Sequence, residues 1–151
     1  MRLTLTISQQ KIIDEVAKTT GYTGAKLLGS DSTAYERIST TDSDTVMLWR
    51  FWQEGRDNIC TALRRHISAE GMEGDDYRID LSLSESFDLS LSARIESGLF
   101  SYLVQHITSC WLALVSSDKS GAYASAASAT LADITRKMLC KRAPTRPDYS
   151  K

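Results

Sequence analysis

Two side chains with reactive chemistry stand four residues apart in the sequence, the imidazole of His106 and the thiol of Cys110. Together with Asp118 they would supply the base, the nucleophile and the carboxylate of a thiol-dependent hydrolase. A nucleophilic thiol needs an accessible, electropositive setting, whereas Cys110 lies on the apolar stripe of the helix predicted around it. The pattern therefore favours packing of Cys110 in a core over catalysis.

The other residues capable of chemistry form no recognised motif. The glycine-containing segments 21–24 and 71–74 lack the strand-then-helix context and the Lys-Ser/Thr pair of a phosphate-binding loop. The chain has two histidines and three cysteines, which provide few metal ligands. The odd number of cysteines and the lack of Cys-x-x-Cys spacing favour reduced thiols. The sequence predicts a protein that is not an enzyme and that binds no cofactor and no metal.

A cationic segment at residues 136–151, RKMLCKRAPTRPDYSK, stands out from the rest of the chain. It carries six cations and one anion, although the net charge of the whole chain is -1. Both prolines of the chain fall here, and each removes a backbone donor and favours extended geometry in the residue before it. We therefore expect an extended arm that contacts a partner, with a frayed, solubilising terminus as the alternative. The residues expected to make this contact are Lys141, Arg142, Pro144, Arg146 and Pro147.

An acidic segment at residues 70–96 opposes the cationic arm in charge. It holds eight carboxylates and only two arginines. The two segments either neutralise each other within one molecule or meet between molecules in a head-to-tail contact, because complementary charges orient association. The sequence leaves both arrangements open.

Two short strands are predicted from strict alternation of apolar and polar residues, at residues 2–7 and 77–83. A solitary strand leaves its backbone unpaired, so each of them needs a partner. Either they pair with each other, or one pairs with residues 87–91 or with a strand of a neighbouring subunit. The residues expected to make a strand-based contact between subunits are Tyr77, Ile79 and Leu81.

Helical spacing of apolar residues predicts four helices. They run from the N-cap Ser8 to Gly21, from residue 41 to 67, from 89 to 116 and from 118 to 141. In the second helix Trp49 widens the apolar stripe, and Gly55 marks the close approach of another helix. The third helix is apolar on two sides, which predicts a central core helix with Leu103 and Ile107 buried.

The predicted fold class is therefore a mainly α bundle of about four helices, with a short two-stranded β element and an extended C-terminal arm. Residues 1–142 are predicted to form a single helical domain with the β element, and residues 143–151 the extended basic arm. No apolar run reaches the roughly 20 residues of a membrane span, so no membrane contact is expected.

Three passages together resemble the head–tail connector or adaptor proteins in the neck of tailed bacteriophages. These passages are DTVMLWRFWQEGRDNICTALRRHI (44–67), YRIDLSLSESFD leading into a helix that ends SCWLAL (77–114), and ADITRKMLCKRAPTRP (132–147). The resemblance implies a non-enzymatic virion protein, assembled in the host cytoplasm, that forms a homo-oligomeric ring. Its implied partners are portal or tail proteins of the virion.

A second interpretation is a small helical regulatory or nucleic-acid-associated protein whose basic tail binds phosphate. The cations of the tail are compatible with non-specific contact to DNA. However, the sequence pI of about 6.1 does not indicate the broad basic face of a dedicated nucleic-acid binder.

Overall fold

The computed structural model describes residues 1–27, 40 and 44–147, and within it a mainly α fold with a small antiparallel sheet. The elements in chain order are β1 (Arg2–Ser8), α1 (Gln9–Leu27), α2 (Thr45–Leu63), β2 (Ile67–Glu73), β3 (Asp76–Ser82), a 3-10 turn (Leu89–Leu91), α3 (Ser92–Val115) and α4 (Ser117–Lys137). The predicted fold class is confirmed, except that the sheet has three strands where two were predicted.

Helix α1 begins as predicted but ends later than predicted. The Ser8 hydroxyl accepts a hydrogen bond from the backbone N–H of Lys11, which caps the first turn. The predicted end at Gly21 is wrong, because the helix continues through this glycine to Leu27. Residues 28–39 of the loop predicted to follow lie outside the described residues.

The sheet has the strand order β1-β3-β2, with β3 in the centre and both pairings antiparallel. Pairing of the two predicted strands with each other is confirmed, and Leu5 lies opposite Ile79. Strand β2 was missed, because its residues were interpreted as the end of the second helix and a turn. It is joined to β3 by the two-residue turn Gly74-Asp75, in which Gly74 has a φ of 64°.

The two faces of the sheet differ in chemistry, because successive side chains of a strand point to opposite sides. One face is buried against the helices. Its fully or almost fully buried residues are Leu5, Ile7, Tyr77, Ile79 and Leu81. The other face is polar, and on it Asp80 is only 5% exposed, because the side chains of Arg2 and Thr4 bond to its two carboxylate oxygens at 2.7 and 2.6 Å.

Helix α3 is the central helix, as predicted, and packs on α1, α2, α4 and β1. Leu103 and Ile107 are fully buried, which confirms the expectation for both residues. Helix α4 lies antiparallel to α3, since the Thr130 hydroxyl donates to Gln105 Oε1 at 2.9 Å while Ile134 packs on Gly98. A Cβ atom at Gly98 would lie 3.0 Å from Ile134 Cγ1, so the two helices are in close contact.

The segment Leu89–Val115, which includes α3, is also long and apolar enough to cross a membrane by length and composition, because an 18-residue window within it has a mean hydropathy of 1.3. The sequence-based expectation that no segment reaches that length is therefore wrong for this helix. Its burial among the other helices is the environment of a core helix, and a core helix meets the same criterion of length and composition.

Helix α2 packs on α3 through Gly55. A Cβ atom at this position would lie 2.8 Å from Leu103 Cδ2 and 3.3 Å from His106 Cδ2, which confirms the predicted close approach of another helix. The prediction that Trp49 widens the buried stripe is wrong. Trp52 is buried, whereas Trp49 is 54% exposed.

Candidate functional site

The cationic arm leaves the fold at a defined point next to the segment that precedes the 3-10 turn. After α4 ends at Lys137, the Cys140 carbonyl accepts a hydrogen bond from the Asp88 N–H, and the Arg142 N–H donates to the Ser86 carbonyl at 2.8 Å. Between these two bonds, Lys141 forms an isolated antiparallel bridge with Phe87. Residues 140–142 are thus fixed to the body of the protein by backbone pairing.

Residues 143–147 of the arm are exposed and have no regular secondary structure. Pro144, Arg146 and Pro147 lie in this part. Arg146, like Lys141 and Arg142, is exposed and forms no ion pair within the described part of the chain. The arm therefore presents cationic side chains that no carboxylate of the described body neutralises by direct contact.

Four of the eight carboxylates of the acidic segment form ion pairs inside the described body. Glu70 pairs with Arg56 at 2.9 Å, Glu73 with Arg78 at 3.0 Å, and Glu85 with the N-terminal ammonium group of Met1 at 2.6 Å.

Asp80 pairs with both Arg2 and Arg78. The carboxylates of Asp75 and Asp76, in the exposed turn between β2 and β3, form no ion pair within residues 1–27, 40 and 44–147. Together with Glu96 they are the exposed carboxylates of the acidic segment that form no ion pair within the described residues, and they are the two that are adjacent in the chain.

Tyr77, Ile79 and Leu81 lie in the predicted strand, but they are buried. Their side chains have no exposed surface, and β3 has a hydrogen-bonded strand on each side. The prediction that these three residues contact a neighbouring subunit through β3 is therefore wrong. Their alternation with polar residues marks the apolar face of a central strand, and the outer edges of the described sheet belong to β1 and β2.

Tyr77 is part of a buried polar cluster between the sheet and α2. The guanidinium of Arg56 lies 4.6 Å from the centre of the Tyr77 ring, and the Tyr77 hydroxyl is 3.7 Å from Cys60 Sγ. Burial raises the pKa of the Tyr77 phenol well above its ordinary value, so the hydroxyl stays protonated. The cluster joins α2 to β2 and β3 and offers no activated group.

A second cluster brings together His106, Cys110 and Glu54 at the contact between α3 and α2. His106 Nε2 lies 3.7 Å from Cys110 Sγ and 4.0 Å from Glu54 Oε2. Cys110 is half-buried and packs against the core, in line with its predicted packing role. Burial raises the pKa of the Cys110 thiol, and the negative charge of Glu54 adds to this effect. The thiol is therefore protonated and weakly nucleophilic, unlike the thiol of a cysteine hydrolase.

The carboxylate in this cluster was missed by sequence reasoning. Asp118 had been considered as the acidic partner, yet its side chain accepts a hydrogen bond from the Ser116 hydroxyl at the start of α4. Glu54 takes that position because it precedes Gly55, where α2 comes closest to α3. The prediction that Gly55 marks a helix contact was the one sequence signal that pointed to this neighbour.

Several large apolar side chains are exposed at the N-terminal end of α2 and the C-terminal end of α3. They are Val46, Met47, Trp49 and Leu114. Since α2 and α3 run antiparallel, with Glu54 near His106 and Gly55 near Leu103, these residues belong to the same end of the helix pair. Where such side chains form one continuous patch, the patch is typical of a surface that binds other proteins.

Comparisons with protein-family models, with curated proteins and with solved structures gave no match for this chain. The resemblance to connector proteins therefore depends on the sequence passages in which it was noticed.

Proposed function

We propose that the protein is a non-enzymatic structural protein of a tailed-phage virion, a head–tail connector or adaptor that forms a homo-oligomeric ring in the neck. The observation that carries this proposal is the arm. Lys141, Arg142 and Arg146 are exposed and form no ion pair with the described body, while four of the eight carboxylates of the acidic segment already have cationic partners there. In this proposal the arm finds its complement on another molecule.

Within a ring, the arm of one subunit would bind the turn between β2 and β3 of the next subunit. Asp75 and Asp76 provide two exposed carboxylates there, and complementary charges fix the orientation of such a contact. The exposed apolar residues Val46, Trp49 and Leu114 would contribute a second, apolar contact to the assembly. The further partners in this proposal are the portal or tail proteins of the virion, and assembly takes place in the host cytoplasm.

A charge-reversal experiment tests this contact. Native mass spectrometry of the full chain should show a closed oligomer. The double variant Arg142→Glu/Arg146→Glu should remain monomeric, and so should Asp75→Lys/Asp76→Lys. An equimolar mixture of the two variants should assemble again with alternating subunits, because the reversed arm of one variant meets the reversed turn of the other and the unmodified arm meets the unmodified turn. A chain that carries all four changes should close the ring again, and failure of this rescue would contradict the pairing of arm and turn.

The second candidate function is binding of nucleic acid by the arm, and the same unpaired cations favour it. If Lys141, Arg142 and Arg146 bind phosphates, the logarithm of the DNA affinity should fall with the logarithm of salt concentration with a slope of about -2.7, which is the value for three neutralised phosphates. A salt titration of duplex DNA binding, compared with that of Arg142→Glu/Arg146→Glu, separates the two functions. A steep slope that the variant loses would favour nucleic-acid binding over the connector function.

A further inference from the structure

We propose that Glu54, His106 and Cys110 form a zinc-binding site, in which one chain supplies a carboxylate, an imidazole and a thiolate as ligands. The proposal is independent of the connector function, because it depends on the contact between α2 and α3 alone. Nitrogen and sulfur ligands select zinc over magnesium and calcium, which prefer oxygen.

The distances between the three groups are close to those of a zinc site. Their ligand atoms all lie within 4.8 Å of one another, and His106 Nε2 is 3.7 Å from Cys110 Sγ. In a tetrahedral site with Zn–N and Zn–O bonds of about 2.1 Å and a Zn–S bond of about 2.3 Å, neighbouring ligand atoms are separated by roughly 3.4–3.6 Å. The imidazole and the thiol therefore already stand at binding distance, and the carboxylate needs the larger movement.

Glu54 has the freedom for that movement, because its side chain is 48% exposed. Its other oxygen, Oε1, lies 3.9 Å from Arg50 Nε, and Arg50 is itself largely exposed and able to turn away into solvent. The carboxylate can thus close on an ion without any shift of the backbone.

The two ligands on α3 are held in place by the packing around them. Histidine and cysteine four residues apart share one face of a helix, the same spacing that places two zinc-binding histidines in H-E-x-x-H motifs. The Tyr102 ring stacks on the His106 ring with centres 5.8 Å apart, and Gly55 of α2 covers the imidazole from the other helix. The close approach at Gly55 brings the preceding residue, Glu54, to this face.

Zinc binding changes the protonation of the cluster. The thiol of Cys110 loses its proton when zinc binds, and that proton is released to solvent. The 48% exposure of the Glu54 side chain leaves the cluster open to solvent on that side, so that water can supply the fourth ligand.

Cobalt(II), which binds zinc sites and reports thiolate ligation by its absorption, is the probe for this site. The measurement uses the full chain with Cys60→Ser and Cys140→Ser, so that Cys110 is the only thiol, in a reductant without sulfur. We expect one cobalt per chain, a sulfur-to-cobalt charge-transfer band, and displacement of cobalt by zinc.

In that background, Cys110→Ser should abolish the band, and His106→Gln and Glu54→Gln should each weaken cobalt binding by about 10-fold or more. His66→Gln is the matched control, because it removes the other histidine and should leave the affinity unchanged. Circular dichroism checks that each variant is folded. Because Glu54 is exposed, Glu54→Gln retains the fold and remains decisive if a buried substitution unfolds the chain. The absence of a band at millimolar cobalt, or an unchanged affinity in Glu54→Gln, would overturn the site.

Discussion

Gly55 and Gly121 both lie inside helices, yet their surroundings are opposite. A Cβ atom at Gly55 would meet the Leu103 side chain at 2.8 Å, whereas a Cβ atom at Gly121 would have no neighbour within 4 Å. Glycine is unfavourable inside a helix, so alanine should stabilise both helices locally. At Gly55 this gain competes with a steric conflict in a core where Leu103 is fully buried and cannot swing away.

We expect Gly55→Ala to lower the free energy of unfolding by up to about 2 kcal/mol, because overpacking costs about 1–3 kcal/mol and the helical gain recovers about 1. Gly121→Ala is the matched control and should raise it by about 0.5–1 kcal/mol. Urea denaturation of both variants measures the difference. Equal stabilisation by the two alanines would show that α2 and α3 are not in close contact at Gly55.

Sequence patterns identified only part of what the structure shows for individual residues. The spacing of His106 and Cys110 was visible because both residues belong to one helix. Glu54 was not visible as their neighbour, because that contact depends on how two separate helices pack. The exposure of Trp49 was also missed, since an apolar stripe on a helix looks the same in the sequence whether its edge is covered or not.

In the sheet, sequence patterns also predicted only part of the structure. Alternation predicted β1 and β3 and their pairing, but the residues of β2, ISAEGME, have no apolar alternation, because β2 is an edge strand with half-buried and exposed positions. The turn carried the missing signal. Gly74-Asp75 separates two segments by two residues, and a glycine at the first position with a positive φ is typical of a tight hairpin turn.

The polar face of the sheet predicts a dependence of stability on pH. The hydroxyl of Thr4, together with Arg2 and Arg78, lowers the pKa of Asp80 from 3.8 to about 2. Because the folded-state value lies below the unfolded one, Asp80 stabilises the fold fully above about pH 4, and this contribution is lost as the pH falls toward 2. Asp80→Asn should therefore reduce stability at neutral pH and flatten its decline between about pH 4 and pH 2.

Urea denaturation at a series of pH values measures this effect. Asp75→Asn is the control, because Asp75 lies in the exposed turn and forms no ion pair within the described residues. Parallel curves for Asp80→Asn and the unmodified chain would contradict a role for Asp80 in acid sensitivity.

Helix α3 offers a second test at the scale of an element. Leu103→Ala removes a fully buried side chain and should cost about 2–5 kcal/mol of stability. Leu114 lies on the same helix, and its side chain is 59% exposed. Leu114→Ala should therefore change the free energy of unfolding by less than about 0.5 kcal/mol. Thermal and urea unfolding should show a much larger loss of stability for Leu103→Ala than for Leu114→Ala. Similar losses in both variants would mean that α3 does not bury the face that carries Leu103.

For the whole molecule, charge is distributed differently from what the sequence alone indicated. The sequence left open whether the acidic segment neutralises the arm within one molecule. In the fold, Arg56, Arg78 and Arg2 pair with the acidic segment instead, and the arm lies exposed. Which cation reaches which carboxylate depends on strand register and helix position, which the order of charges along a chain does not encode.

Deletion of residues 144–151 should leave the melting temperature of the monomer nearly unchanged, because residues 143–147 are exposed and form no hydrogen bond with the described body. The same deletion should weaken assembly. Thermal unfolding and native mass spectrometry on the same samples measure both effects. A large drop in melting temperature with assembly intact would identify the arm as an internal support of the fold.

The backbone hydrogen bonds at residues 140–142 also limit how far the arm can reach from the body of the protein. Because Arg142 is anchored to Ser86, Arg146 stands only four residues from a fixed point, and a fully extended chain gains at most about 3.6 Å per residue. The Cα atom of Arg146 therefore stays within about 14 Å of that of Arg142. In any assembly that uses this side chain, the receiving surface must lie within that distance plus the length of an arginine side chain, measured from the Cα atom of Arg142. The backbone bonds at residues 140–142 thus set an upper limit on the distance between this protein and any neighbour that Arg146 binds.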